Sequence, residues 1–78
     1  MAGGRYCVVI PAFNAGKTLG DLVRQVKLQE LPVLVVDDGS QDQTASVAAA
    51  QGATVISHLK NEGKGSALRT GFAYAMRS

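Results

Sequence analysis

Val33-Leu34-Val35-Val36-Asp37-Asp38-Gly39-Ser40 decides the fold class of this chain. Four apolar residues in a row, with no polar alternation, suit a strand buried on both faces of a parallel sheet. The abrupt change to two carboxylates, a glycine and a serine marks the end of that strand and a turn. Upstream, Leu19, Leu22, Val23 and Val26 recur at i, i+3, i+4 and i+7, one face of a helix, and Pro32 closes it. Before that helix lies another apolar run, Cys7-Val8-Val9-Ile10, ended by Pro11. Downstream, Ser40 and Gln43 have the spacing of a capping box for an alanine-rich second helix, with Gly52 as its stop. Thr54-Val55-Ile56-Ser57 reads as a third, shorter strand. A loop from His58 to Gly63 leads into a third helix with Leu68, Gly71, Phe72, Ala75 and Met76 on one face.

The order is βαβαβα, which predicts an α/β fold: three parallel strands joined by right-handed crossovers, half of a doubly wound sheet. Ligands of such sheets bind at the carboxyl ends of the strands. With 78 residues the chain is one domain at most, residues 1–78. A chain of this size buries only roughly 60% of its unfolded surface. Its single cysteine, Cys7, permits no internal disulfide and reads as core. Its single histidine, His58, reads as packing rather than as a ligand and excludes a Cys/His zinc cluster. Nothing in the sequence covers the sides of a three-stranded sheet, which points to an incomplete domain and to self-association. The net charge of +2, spread along the chain, gives no argument for nucleic acid. No apolar run approaches the ~20 residues of a membrane span, and the first residues lack a signal-peptide pattern. A cytoplasmic chain, or the cytoplasmic face of something larger, is the simplest expectation.

Three polar clusters follow the three strands: Pro11-Ala12-Phe13-Asn14, Asp37-Asp38-Gly39-Ser40 and Asn61-Glu62-Gly63-Lys64-Gly65-Ser66. Each alone could be a turn or cap; at successive strand ends they predict one nucleotide pocket. A carboxylate at the tip of the second strand can accept donors from a base or ribose. Lys64, between two glycines at a helix start, offers a cation and backbone N–H groups to a pyrophosphate. Gly16-Lys17-Thr18 imitates a P-loop, but that motif needs glycine at position 11, which is Pro11. Proline has no N–H to add to a phosphate nest. Gly63-x-Gly65 is a fragment of the dinucleotide fingerprint whose third small residue would be Leu68.

Val8-Val9-Ile10-Pro11-Ala12-Phe13-Asn14, the run Asp37-Asp38-Gly39-Ser40-Gln41-Asp42-Gln43-Thr44, and Asn61-Glu62-Gly63-Lys64-Gly65-Ser66-Ala67 together resemble family 2 of the glycosyltransferases. The last loop is most similar to polyprenyl-phosphate sugar synthases of the dolichol-phosphate mannose synthase type. The resemblance implies a Rossmann-like, A-type fold that uses UDP- or GDP-sugars with Mg²⁺ or Mn²⁺, inverts the anomeric configuration, and transfers to a polyprenyl-phosphate or glycan acceptor. By position it places Pro11, Ala12, Phe13, Asn14, Asp37, Asp38, Gly39 and Lys64 at the nucleotide. The sequence departs from the synthases at Ala15, where a glutamate is common. It also lacks the Asp-x-Asp motif that holds the metal in the family, and no catalytic base is identifiable. The expectation is the nucleotide-binding front part of a longer enzyme, inactive alone and holding no metal. The rival from another class is a non-catalytic nucleotide-binding or assembly module.

Overall fold

The computed structural model describes residues 8–77. The elements are β1 (Val8–Ala12), α1 (Gly16–Leu28), β2 (Val33–Asp37), α2 (Thr44–Ala50), β3 (Thr54–Ser57) and α3 (Lys64–Arg77). The strands form one parallel sheet in the order β1-β2-β3. Register pairs Ile10 with Val35 and Val35 with Val55, so the carboxyl ends of β1 and β2 finish together at Ala12 and Asp37.

The unbroken apolar run of β2 is explained by its position. Every residue of β2 is buried. Val33 and Val35 join Leu19 and Val23 of α1 and Ala48 of α2 in one core cluster. The alternate face packs on α3, where a methyl added to Gly71 would lie 2.4 Å from Val9 Cγ1 and 3.1 Å from Val36 Cγ2. Only a residue without a side chain lets α3 approach the sheet this closely. Each fully buried valine or leucine contributes about 1.5–3 kcal/mol relative to exposure.

Four sequence expectations are corrected. Pro11 does not end β1, which runs on to Ala12 with Pro11 opposite Val36. Among the described residues β1 is an edge strand, where a missing N–H is tolerated. The capping box does not form: α2 starts at Thr44, and the N-cap Gln43 makes no side-chain bond to the helix backbone, its Oε1 accepting the Ser46 hydroxyl at 3.0 Å instead. The Ser40 hydroxyl is instead taken by the Asn14 N–H, 2.8 Å away. Leu22 is 47% exposed although Leu19 and Val23 beside it are buried. Phe72 and Met76 are 53% and 87% exposed, because the buried face of α3 centres one position earlier, on Ala67 and Gly71. The Gly52 stop is present: at φ 92° it donates to the Ala49 carbonyl while the Ala53 N–H reaches Ala48, a Schellman closure. Cys7, read as core, lies outside the described residues.

Candidate functional site

A cleft of about 400 Å³ opens where β1 and β2 end and α3 begins. Pro11, Ala12 and Phe13 form one wall; Asn61, Gly63, Lys64 and Ala67 form the other, with Asp38 between them. Parallel pairing brings the ends of β1 and β2 level, and the 58–63 loop folds back over them. It can do so because Gly39, at φ 74°, has no side chain where the loop backbone passes. Phe13 and Lys64 are exposed, so one wall offers an aromatic face and the other a cation to a ligand.

Asp38 is 3% exposed and its carboxylate is tied to the chain. Oδ1 accepts the Glu62 N–H at 2.9 Å and His58 Nδ1 at 2.7 Å. Oδ2 accepts the Gly63 N–H at 2.8 Å. These bonds hold the Asp38 carboxyl below the usual carboxylate range, the Glu62 N–H contributing most and the His58 bond next, against the opposing effect of burial. The His58 side chain, itself 9% exposed, also meets Thr70 Oγ1 of α3 through Nε2 at 2.8 Å. His58 is thus packed, as its sequence context suggests, and in addition links the tip of β2 to α3.

Of the residues expected at the site, Pro11, Ala12, Phe13, Asp38 and Lys64 line the cleft. Asn14, Asp37 and Gly39 are not among its lining residues, and the Asn14 and Asp37 side chains bond to the chain itself. Asp37 accepts the Ser40 N–H at 3.0 Å and the Ser57 hydroxyl at 3.5 Å. Asn14, at φ 48°, accepts the Gln41 N–H at 2.9 Å while its own N–H donates to Ser40. The clasp continues at the start of α1. Asp42 Oδ2 accepts the Gly16 N–H at 3.1 Å, Thr44 Oγ1 accepts the Ala15 N–H at 2.9 Å, and the Thr44 hydroxyl donates to Asp42. Asp42 is held below the ordinary carboxylate value, chiefly by that hydroxyl. This carboxylate stands where a P-loop would bind phosphate, so the N-terminus of α1 is closed to an anion. Lys17 is exposed beside it and away from the cleft.

The family model described as "Glycosyl transferase family 2" matches residues 7–77. The chain belongs to that family. It is 41% identical over 70 residues to an uncharacterized protein of Methanocaldococcus jannaschii, covering 88% of this chain and 29% of the relative. It is 45% identical over 51 residues to 4,4'-diaponeurosporenoate glycosyltransferase of Staphylococcus aureus, covering 63% of this chain and 14% of the relative. Among solved structures it resembles M. tuberculosis glucosyl-3-phosphoglycerate synthase, with TM-score 0.75 and 32% identity, over 91% of this chain and 31% of that one. It also resembles mannosyl-3-phosphoglycerate synthase from Rubrobacter xylanophilus, with TM-score 0.59 and 36% identity, over 64% of this chain and 18% of that one. The chain therefore spans less than a third of the length of each of these relatives. Its three strands and their helices correspond to part of the Rossmann-like domain of these glycosyltransferases.

Sequence reasoning missed two features of this family 2 unit. The Asp42-x-Thr44 pair was available as a signal, since Asp and Thr two apart are a helix-start pattern, but it serves the start of α1 rather than of α2 alone. The His58–Asp38 bond had a weaker signal: a histidine directly after β3 adjoins the end of β2 in a parallel sheet. No helix among the described residues is long and apolar enough to cross a membrane.

Proposed function

We propose that this chain supplies the nucleotide-binding part of the donor site in an inverting nucleotide-sugar glycosyltransferase. One observation carries the reading: Pro11–Phe13 and Asp38, from the ends of β1 and β2, and Lys64, at the start of α3, line one cleft. In this reading the base lies against Phe13 and meets the Asp38 carboxylate, and Lys64 neutralises the diphosphate. An oxygen of the acceptor attacks the anomeric carbon from the face opposite the departing nucleoside diphosphate, which gives inversion. The contribution of this chain is to hold that leaving group while charge develops on it.

A divalent cation, Mg²⁺ or Mn²⁺, is part of the proposed enzyme, but the residues here do not fit one. Among the described residues no group of three His, Cys, Asp or Glu side chains is placed to hold a metal ion. Asp38, His58 and Glu62 lie close together, but His58 Nδ1 faces the Asp38 carboxylate at 2.7 Å and Glu62 Oε2 at 4.0 Å, which leaves that nitrogen no room for a cation. Both oxygens of Asp38, and both of Asp37, already accept hydrogen bonds from the chain. The cation and the base that activates the acceptor would come from beyond this chain, and we propose that the chain alone transfers no sugar. A polyprenyl-phosphate acceptor is supported by the Asn61–Ala67 loop alone; the names of the diaponeurosporenoate glycosyltransferase and the two 3-phosphoglycerate synthases carry other acceptors.

Calorimetric titration with UDP and GDP tests the reading. Lys64→Ala is expected to weaken nucleotide binding by about 1.5–3 kcal/mol, the range for a hydrogen bond to a charged group. Lys17→Ala leaves the affinity within roughly twofold, since its ammonium lies outside the cleft. A larger loss at Lys17 than at Lys64 would move the nucleotide to α1 and overturn the proposal.

A further inference from the structure

The Asp38 carboxylate is nearly saturated before any ligand arrives. An ionised carboxylate has about four acceptor positions, two on each oxygen. Oδ1 has both filled, by the Glu62 N–H and by His58 Nδ1. Oδ2 has one filled, by the Gly63 N–H. Because the carboxylate only accepts, Nδ1 of His58 carries the proton in that bond, whichever state Nε2 adopts toward Thr70. The Thr70 hydroxyl can donate or accept, so both charge states of His58 keep the same geometry. His58 is therefore the donor that takes the last free position on Oδ1.

We propose that His58 is a positioning residue which leaves Asp38 a single acceptor position, on Oδ2, and thereby selects a uracil-bearing donor over a guanine-bearing one. The inference rests on the donor-site reading above. Uracil presents one N–H, at N3, between two carbonyls. A carboxylate with one open position satisfies it fully. Guanine presents N1–H and the N2 amine side by side, and pairing both requires an opening on each carboxylate oxygen. With Oδ1 occupied, one guanine donor enters the cleft unpaired, a cost that discriminates strongly between ligands. Cytosine has no N3–H at all and is disfavoured for the opposite reason.

Nucleotide binding to the protein, measured by calorimetry with UDP, GDP and CDP, provides the test. The unaltered protein is expected to bind UDP roughly tenfold more tightly than either GDP or CDP, the loss of about one hydrogen bond. His58→Leu opens a position on Oδ1, and the UDP-to-GDP ratio should fall to about twofold or less, with binding weaker overall as Asp38 loosens. In His58→Asn the amide N–H can replace Nδ1–H, and the ratio should return. Thr70→Val removes the partner of Nε2 but not the bond to Asp38, so the ratio should hold even if the melting temperature falls. A role for His58 in folding alone would lower all affinities in parallel and leave the ratio unmoved, which would overturn the inference. GDP bound as tightly as UDP by the unaltered protein would overturn it without any variant. Absence of binding by all three nucleotides would overturn the donor-site reading itself, whereas binding without base preference overturns only the role of His58.

Discussion

Gly39 shows how a single residue frames the cleft. Its backbone is left-handed, φ 74°, and a methyl group there would lie 2.3 Å from both the carbonyl carbon of Lys60 and the amide nitrogen of Asn61. Both neighbours are backbone, so no side-chain rotation relieves the contact. Gly39→Ala is expected to cost about 1–2 kcal/mol from the left-handed conformation alone. At roughly 4–8 °C per kcal/mol for a domain of this size, the melting temperature should drop by that much or more. The displaced 60–63 loop should also weaken nucleotide binding. A Gly39→Ala protein with unchanged melting and affinity would show that the loop does not rest on this residue. The sequence shows Gly39 in the turn after β2, but Gly39 does not line the cleft; its effect is on the loop backbone it makes room for, more than twenty residues away and invisible to local pattern. The same holds for Asp38. Its place at the strand tip follows from the pattern of β2, whereas its bonds to His58, Glu62 and Gly63 depend on how the loop returns.

At the scale of elements, the clasp between the 40–44 turn and α1 ties two crossover units together. It takes the N–H groups of Asn14, Ala15 and Gly16, which the start of a helix otherwise leaves unpaired. Asp42 and Asp38 are both held below the ordinary carboxylate value. Their stabilisation is complete above the unfolded value near ~3.9 and is lost as pH falls through the lower folded values. Asp42→Asn should therefore melt several degrees below the unaltered protein at neutral pH, and the gap should narrow once pH falls below about 4, as protonation removes the same charge from the original. A gap that stays constant down to pH 2 would show that the Asp42 charge is not what closes α1. The alternation of elements was legible because apolar runs and 3.6-residue spacing are local properties. The start of α2 departs from the expected capping box because Ser40 serves the neighbouring helix and Asp42 serves both, taking the Thr44 N–H at 2.9 Å and the Gly16 N–H at 3.1 Å, a tertiary choice that spacing does not record. On the expected face of α3, Gly71 is buried but Phe72 and Met76 are not, because close approach to the sheet centres the buried face on Ala67 and Gly71 rather than on the larger side chains.

For the molecule as a whole, the buried centre is β2, and the surface retains large apolar residues. Phe72, Met76 and Leu28 are 53%, 87% and 74% exposed. Among the described residues β1 and β3 each pair on one side only. Open strand edges beside apolar side chains favour association. Sedimentation at rising concentration should show an increasing mean mass, reduced in a Phe72→Ser, Met76→Ser double variant; a monomer at every concentration would show that these residues are compatible with free solution. The central claim concerns the cleft, and amide-resolved NMR during titration with UDP tests it most directly. The account predicts shift changes at Ala12, Phe13, Asp38, Asn61, Gly63 and Lys64, with Gly16, Lys17 and Thr18 unmoved. Changes centred on Gly16–Thr18, or none at saturating nucleotide, would contradict it.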